Sequence, residues 1–139
     1  MEIQFVAGFG PISREPGPAL DFWSGDLGIG FHELAPDYHH ADDLAGTKAF
    51  AIWPLAQAAE STFGTPEWPA DRPVPQAWIE FELASPDAVA AGAEELRGRG
   101  LEILSGPKTE PWGQTTARFL SPEGLLVGLS HLPSFHDEG

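Results

Sequence analysis

Two carboxylates two positions apart, Glu80 and Glu82, have the types and spacing in this chain that most invite chemistry. In the alternating run from Ala77 to Leu83 they share a strand face with Trp78, while Ile79, Phe81 and Leu83 take the other face. Carboxylates this close disfavour each other's charge, which is one ingredient of general acid–base work. Any strand with alternating Glu has that ingredient, and no acid–base partner stands out in the sequence. Arg118 is a candidate partner for either carboxylate, and pairing with it would cancel part of the acidic character. Pro111-Trp112-Gly113 holds a large ring on a stiff loop, and a second ring, Trp53, precedes Pro54-Leu55. His39-His40 followed by Asp42-Asp43 offers metal-ligand side chains, but the run reads as a solvated loop without fixed geometry. No nucleophile–base pair or metal-ligand run stands between Glu110 and Leu129, so a ligand pocket is better supported than a reaction.

Short elements must position these groups. Glu2 to Ile12 reads as a first strand whose Val6, Gly8 and Gly10 face is nearly bare, as at a bulge or a close approach of ligand or backbone. Ser13 to Gly28 reads as a helix with Ala19, Leu20, Trp23 and Leu27 on one side and Trp23 in the core. Ile29 to Leu34 and Lys48 to Leu55 read as strands, Ala35 to Ala45 as a polar loop, and Ala56 to Phe63 as two helical turns. Four prolines make Gly64 to Gln76 a stiff connector. After the strand carrying Glu80, Ser85-Pro86-Asp87 opens a helix with a cap, an N1 proline and an acid in its first turn. Val89, Ala93 and Leu96 form its stripe, and Gly98 and Gly100 close it. Leu101 to Leu104 reads as a strand. Thr115 to Leu120, the turn Ser121-Pro122-Glu123-Gly124 and Leu125 to Leu129 make a hairpin, its second strand apolar enough to be covered on both faces.

The 139 residues suit one domain, and 14 Pro with 16 Gly favour short elements joined by turns. With no Cys, disulfides and thiolate metal sites are excluded. Twenty-one acids against 7 bases leave a net charge of −14, which repels nucleic acid and anionic lipid, tolerates a cationic ligand, and is explained most simply as solubility. The chain shows no signal peptide and no apolar run long enough to span a membrane, so a cytoplasmic location is expected.

The order strand, helix, Gly, strand, loop, strand, strand occurs twice. Ser13 and Ser85, and likewise Gly28 and Gly100, are separated by the same number of positions, about half the chain. Each half alone would expose an apolar face, so the halves need each other, within one chain or across a dimer. The pattern resembles the vicinal oxygen chelate superfamily of glyoxalase I, extradiol dioxygenases and bleomycin-resistance proteins. The resemblance is carried by Leu20-Asp21-Phe22-Trp23-Ser24-Gly25-Asp26-Leu27-Gly28, by Trp78 to Ser85, and by Glu110-Pro111-Trp112-Gly113 leading to Ser121-Pro122-Glu123-Gly124. The Pro-Trp-Gly run, the Phe-Trp helix and the acidic balance look most like the bleomycin-resistance branch. Phe50 to Gly64 looks like a group of glyoxalase-like proteins to which no reaction can be assigned.

This resemblance implies an α+β fold of two βαβββ modules forming a curved half-barrel with a central cavity. The modules are residues 1–63 and 77–132, joined by the connector 64–76 and followed by a tail, 133–139, with a homodimer expected. The family's enzymes hold a divalent metal with His and Glu from four inner strands. Carried over by position, those sites fall at Val6 or Gly8, near Trp53 to Leu55, at Trp78 and at Gly128, none of which ligates through its side chain. The resemblance therefore implies no metal and no cofactor, with rings in place of ligands. On the family's arrangement the face with Trp78, Glu80 and Glu82 lines the cavity. Trp53, Trp78, Glu80, Glu82, Trp112 and Arg118 become the ligand-binding set, suited to sequestering a flat aromatic or cationic compound, antibiotics included. Two alternatives stay open. One is a lyase, isomerase or dioxygenase with a Glu base or with a displaced metal held by residues such as Glu80, Glu82, His131 and His32. The other is an interaction module whose cavity Trp53 and Trp78 simply fill.

Overall fold

The chain runs β1 (Phe5–Ser13), α1 (Pro16–Leu20, continued by a π-helical stretch, Asp21–Asp26), β2 (His32–Ala35), β3 (Tyr38–Ala41), β4 (Ala49–Pro54) and α2 (Leu55–Phe63). It continues with β5 (Ala77–Glu82), α3 (Pro86–Gly98), β6 (Ser105–Thr109), β7 (Thr115–Leu120), β8 (Leu126–His131) and a final 3-10 turn (Pro133–His136). These elements come from a computed structural model that describes residues 1–42 and 44–136. Asp43 of the His-Asp run and residues 137–139 of the tail lie outside the described residues.

The eight strands among the described residues form one curved open sheet in the order β2-β3-β4-β1-β5-β8-β7-β6. The second four strands repeat the first four in reverse, so the internal repeat is a repeat of structure. β1 and β5 pair antiparallel, which joins the two halves within one chain. Each would otherwise present unpaired backbone N–H and C=O groups, and their pairing removes both edges.

The bare face of β1 is filled by protein. A Cβ on Gly8 would stand 2.6 Å from Trp78 Cζ3, and one on Gly10 would overlap the Ala51 carbonyl oxygen. Glycine is required here because the Trp78 ring and the backbone of β4 occupy that space. A bulge between Val6 and Gly8 breaks the alternation and leaves Phe9 exposed.

The second half follows its local signals closely. The Ser85 side chain accepts from Ala88 N at 3.1 Å and caps α3. Val89 and Ala93 of α3 pack with Leu83, Ala117 and Leu129 to cover one face of the sheet. The turn after β7 closes through Gly124 N to Ser121 O at 2.9 Å, with Gly124 at φ 87°.

Three local readings are corrected. Ala35 to Ala45 is largely a hairpin, because Asp37 takes φ 61° and turns the chain so that β3 pairs with β2. Leu101 to Leu104 is not a strand; the strand begins at Ser105, after the chain has left α3. The first helix buries none of its residues: Leu27 is exposed, and Trp23 is only half-buried, edge-on to Phe50 at 5.8 Å. Among the described residues no helix is long and apolar enough to cross a membrane.

Candidate ligand cavity

Strand alternation puts Trp78, Glu80 and Glu82 of β5 on the sheet face away from α3. They stand beside Leu126, Gly128 and Ser130 of β8 and Thr116 and Arg118 of β7. A cavity of about 400 Å³ opens on this face. Trp53 and Trp78, edge to face at 6.0 Å, form its apolar base, and Trp112 and Tyr38 stand in its walls.

Arg118 is the charged centre of the base. It is 1 % exposed, and its Nη1 donates to Glu80 Oε2 at 2.7 Å. Its Nη2 lies 3.8 Å from Glu110 Oε1, and the guanidinium carbon sits 4.8 Å from the centroid of the Trp53 ring. A planar guanidinium can do all three at once, since its fork reaches carboxylates in plane while its face stacks on a ring. Its Nε is a buried donor without a partner among the described residues. Glu110 is itself held by Ser61 Oγ at 2.9 Å and Thr116 Oγ1 at 3.1 Å.

A chain of polar contacts runs outward from Glu80. Gln114 Nε2 donates to Glu80 Oε1 at 2.9 Å and to Ser130 Oγ at 2.7 Å. Gln114 Oε1 accepts from the indole N–H of Trp112 at 2.7 Å, which tethers an exposed ring at the cavity wall. Ser130 Oγ donates to Glu82 Oε1 at 2.7 Å. Glu82 Oε2 accepts from Leu132 N at 2.7 Å and lies 2.9 Å from His136 Nε2. Tyr38 faces this network from the hairpin. Burial, and then the Glu80 charge, push its phenol well above the ordinary tyrosine range, against the opposing pull of Arg118. The phenol is therefore a protonated hydrogen-bond donor.

Trp53, Trp78, Glu80, Trp112 and Arg118 of the expected set all line this cavity. Glu82 does not. Two residues further along β5, roughly 7 Å on, it lies fully buried beneath the C-terminal turn and is spent on Ser130, Leu132 and His136. The two carboxylates are therefore linked only through Gln114 and Ser130 and do not face one another as a pair, and Arg118 takes Glu80. Tyr38, His40, Gln114 and Phe135 also line the cavity and were not singled out for it. The available signals were Pro36-Asp37 as a tight turn that faces Tyr38 and His40 inward, and an amide two positions after Trp112.

The model of the Glyoxalase/Bleomycin resistance protein/Dioxygenase superfamily matches residues 12–129. Among solved structures, the NAD-dependent benzaldehyde dehydrogenase from Legionella pneumophila is similar at a TM-score of 0.60 and 13% identity, covering 88% of this chain and 96% of that one. A glyoxalase/bleomycin resistance protein/dioxygenase superfamily member from Vibrio splendidus 12B01 is similar at 0.56 and 11% identity, covering 93% and 98%. Streptomyces coelicolor methylmalonyl-CoA epimerase, in complex with 2-nitronate-propionyl-CoA, is similar at 0.52 and 17% identity, covering 93% and 97%. These likenesses show the fold. No curated protein matches the chain. With most of its length matched, the chain belongs to the glyoxalase/bleomycin resistance protein/dioxygenase superfamily.

The divalent metal of the superfamily's enzymes does not fit the residues at the positions carried over for it. Gly8 gives its space to the Trp78 ring. A Cβ on Gly128 would stand 3.0 Å from Glu80 Cγ and 3.5 Å from Arg118 Nη1, so that position is taken by an ion pair already closed within the protein.

Proposed function

We propose that this superfamily member binds a flat aromatic small molecule in the cavity and sequesters it, without a metal at the positions the superfamily's enzymes use. The observation that supports this most is the convergence of Trp53, Trp78, Trp112 and Tyr38 around about 400 Å³, at the lower end of the range for small-molecule sites. The rings supply stacking surface, and the phenol of Tyr38 and the carboxylate of Glu80 supply orientation. The charge pattern favours an uncharged aromatic over a cation, because Glu80 already faces Arg118 and Glu82 is withdrawn.

Turnover by a Glu base is the weaker reading. Each oxygen of Glu80 already accepts a hydrogen bond, from Gln114 and from Arg118, and taking up a proton would break the charge-assisted one. The neighbouring epimerase and dehydrogenase share the fold at identities that say nothing of this chain's reaction.

Fluorescence titration of the metal-stripped protein against planar aromatic compounds, antibiotics among them, tests the proposal. Saturable one-to-one quenching is expected, and it should weaken in Trp112→Ala and Tyr38→Phe. Trp112 is exposed, so its removal leaves the core intact. Quenching by no compound, or undiminished binding in both variants, refutes the cavity as the site.

A further inference from the structure

The β2–β3 hairpin carries a cluster that binding of an aromatic ligand does not use. His32 and His40 are register partners across the hairpin, and Asp42 follows the end of β3. His32 Nε2 lies 3.3 Å from Asp42 Oδ2, and His40 Nδ1 lies 2.7 Å from Asp42 Oδ1. One ligand atom from each residue falls within 4.8 Å of the other two. His40 Nδ1 is also a buried atom without an aligned hydrogen bond, despite its closeness to the carboxylate. The 2.7 Å approach is an ion-pair distance, yet it leaves the ring nitrogen without an aligned hydrogen bond. The three side chains thus bring a ligand atom each close enough for small rotamer changes to gather them around one cation.

We propose that His32, His40 and Asp42 bind one divalent transition-metal ion. Two imidazole nitrogens and one carboxylate oxygen select zinc, nickel, copper or ferrous iron over magnesium and calcium, which prefer all-oxygen sites. Three protein ligands leave coordination positions open. His40 also lines the cavity, so the ion would lie at the cavity rim, where an open position is available to an oxygen or nitrogen of a bound molecule. The chain's net charge of −14 raises the local cation concentration.

The site is separate from the positions carried over from the superfamily's enzymes, which fall on β1, β4, β5 and β8. It is also separate from the other group of suitable side chains among the described residues, Glu82, His131 and His136. That second group is already satisfied without an ion. Glu82 accepts from Ser130 and Leu132 and contacts His136, and His131 Nδ1 lies 3.0 Å from the Leu83 carbonyl oxygen. The proposal rests on the hairpin alone and is independent of the aromatic ligand.

Calorimetric titration of untagged, metal-stripped full-length protein with zinc and with nickel, with no other ligand present, tests it. One equivalent is expected to bind, and magnesium is expected not to. His32→Ala and His40→Gln should each weaken zinc by more than the roughly tenfold that loss of even an outer-shell partner costs. His32 is 48 % exposed, so the first variant keeps the fold. In the unmodified protein, imidazole NMR signals of His32 and His40 should shift on zinc addition while those of His131 and His136 stay in place. No saturable uptake, uptake that survives both variants, or shifts confined to His131 and His136 would each overturn the proposal.

Discussion

Replacing Arg118 with Met tests whether the ion pair at the cavity base holds the site together. The change keeps most of the side chain's volume and removes its charge. Glu80 loses its 2.7 Å partner, Glu110 loses a cation at 3.8 Å, and Trp53 loses the guanidinium stacked on it at 4.8 Å. Glu80 and Glu110 are 7 % and 6 % exposed, so solvent cannot take over either contact. Breaking a buried pair from one side costs about 3–5 kcal/mol, because the remaining charge stays desolvated. On a total stability of about 5–15 kcal/mol that is a large fraction. For a chain of this length it lowers the melting temperature by about 10–17 °C. Urea unfolding of Arg118→Met, Glu80→Met and the double variant measures it as a cycle. The double variant should recover much of the loss of Arg118→Met, since removing both partners leaves less uncompensated charge. A loss below about 1 kcal/mol in Arg118→Met, in the range of an exposed pair, would refute the reasoning.

Tyr38 is the one tyrosine of the chain, so ultraviolet titration reads it directly. Its phenol is raised in the folded state, so no tyrosinate should appear as pH passes about 10, where an unperturbed tyrosine ionises. The linkage has a definite sign: the contribution is complete below that pH, and stability falls as pH rises further, because only the unfolded chain releases the proton there. Tyrosinate signal at the ordinary pH, with the fold intact by circular dichroism, would remove Tyr38 from the cavity wall. Gly128→Ala places a Cβ 3.0 Å from Glu80 Cγ, and forcing that contact should cost about 1–3 kcal/mol in thermal unfolding and weaken cavity binding. Wild-type stability in that variant would mean that Glu80 does not need the space.

The hairpin of β7 and β8 and the helix after Ser85 were legible because their signals are local. Alternation, a cap that reaches its own backbone at 3.1 Å, and a Gly at φ 87° act within a few residues. The repeat was legible for the same reason, since equal spacing of helix starts and glycine stops needs no tertiary information. The β2–β3 hairpin was missed because its turn rests on a non-glycine residue, Asp37, at positive φ in a polar stretch that reads as loop. Glu82 was misplaced because alternation assigns a face and does not say where along that face the cavity ends.

The sequence by itself determined the two repeats and the face that Trp78, Glu80 and Glu82 share, since each follows from backbone periodicity and capping, and the α+β half-barrel followed from the family resemblance those repeats carry. Tertiary structure alone decided that β1 pairs with β5 inside one chain, that Arg118 reaches Glu80 across 38 positions, and that His32 stands opposite His40. The physical reason is that side-chain partners in a sheet are set by strand order and register. Those depend on which edges close together, and no local stretch of sequence encodes that closure.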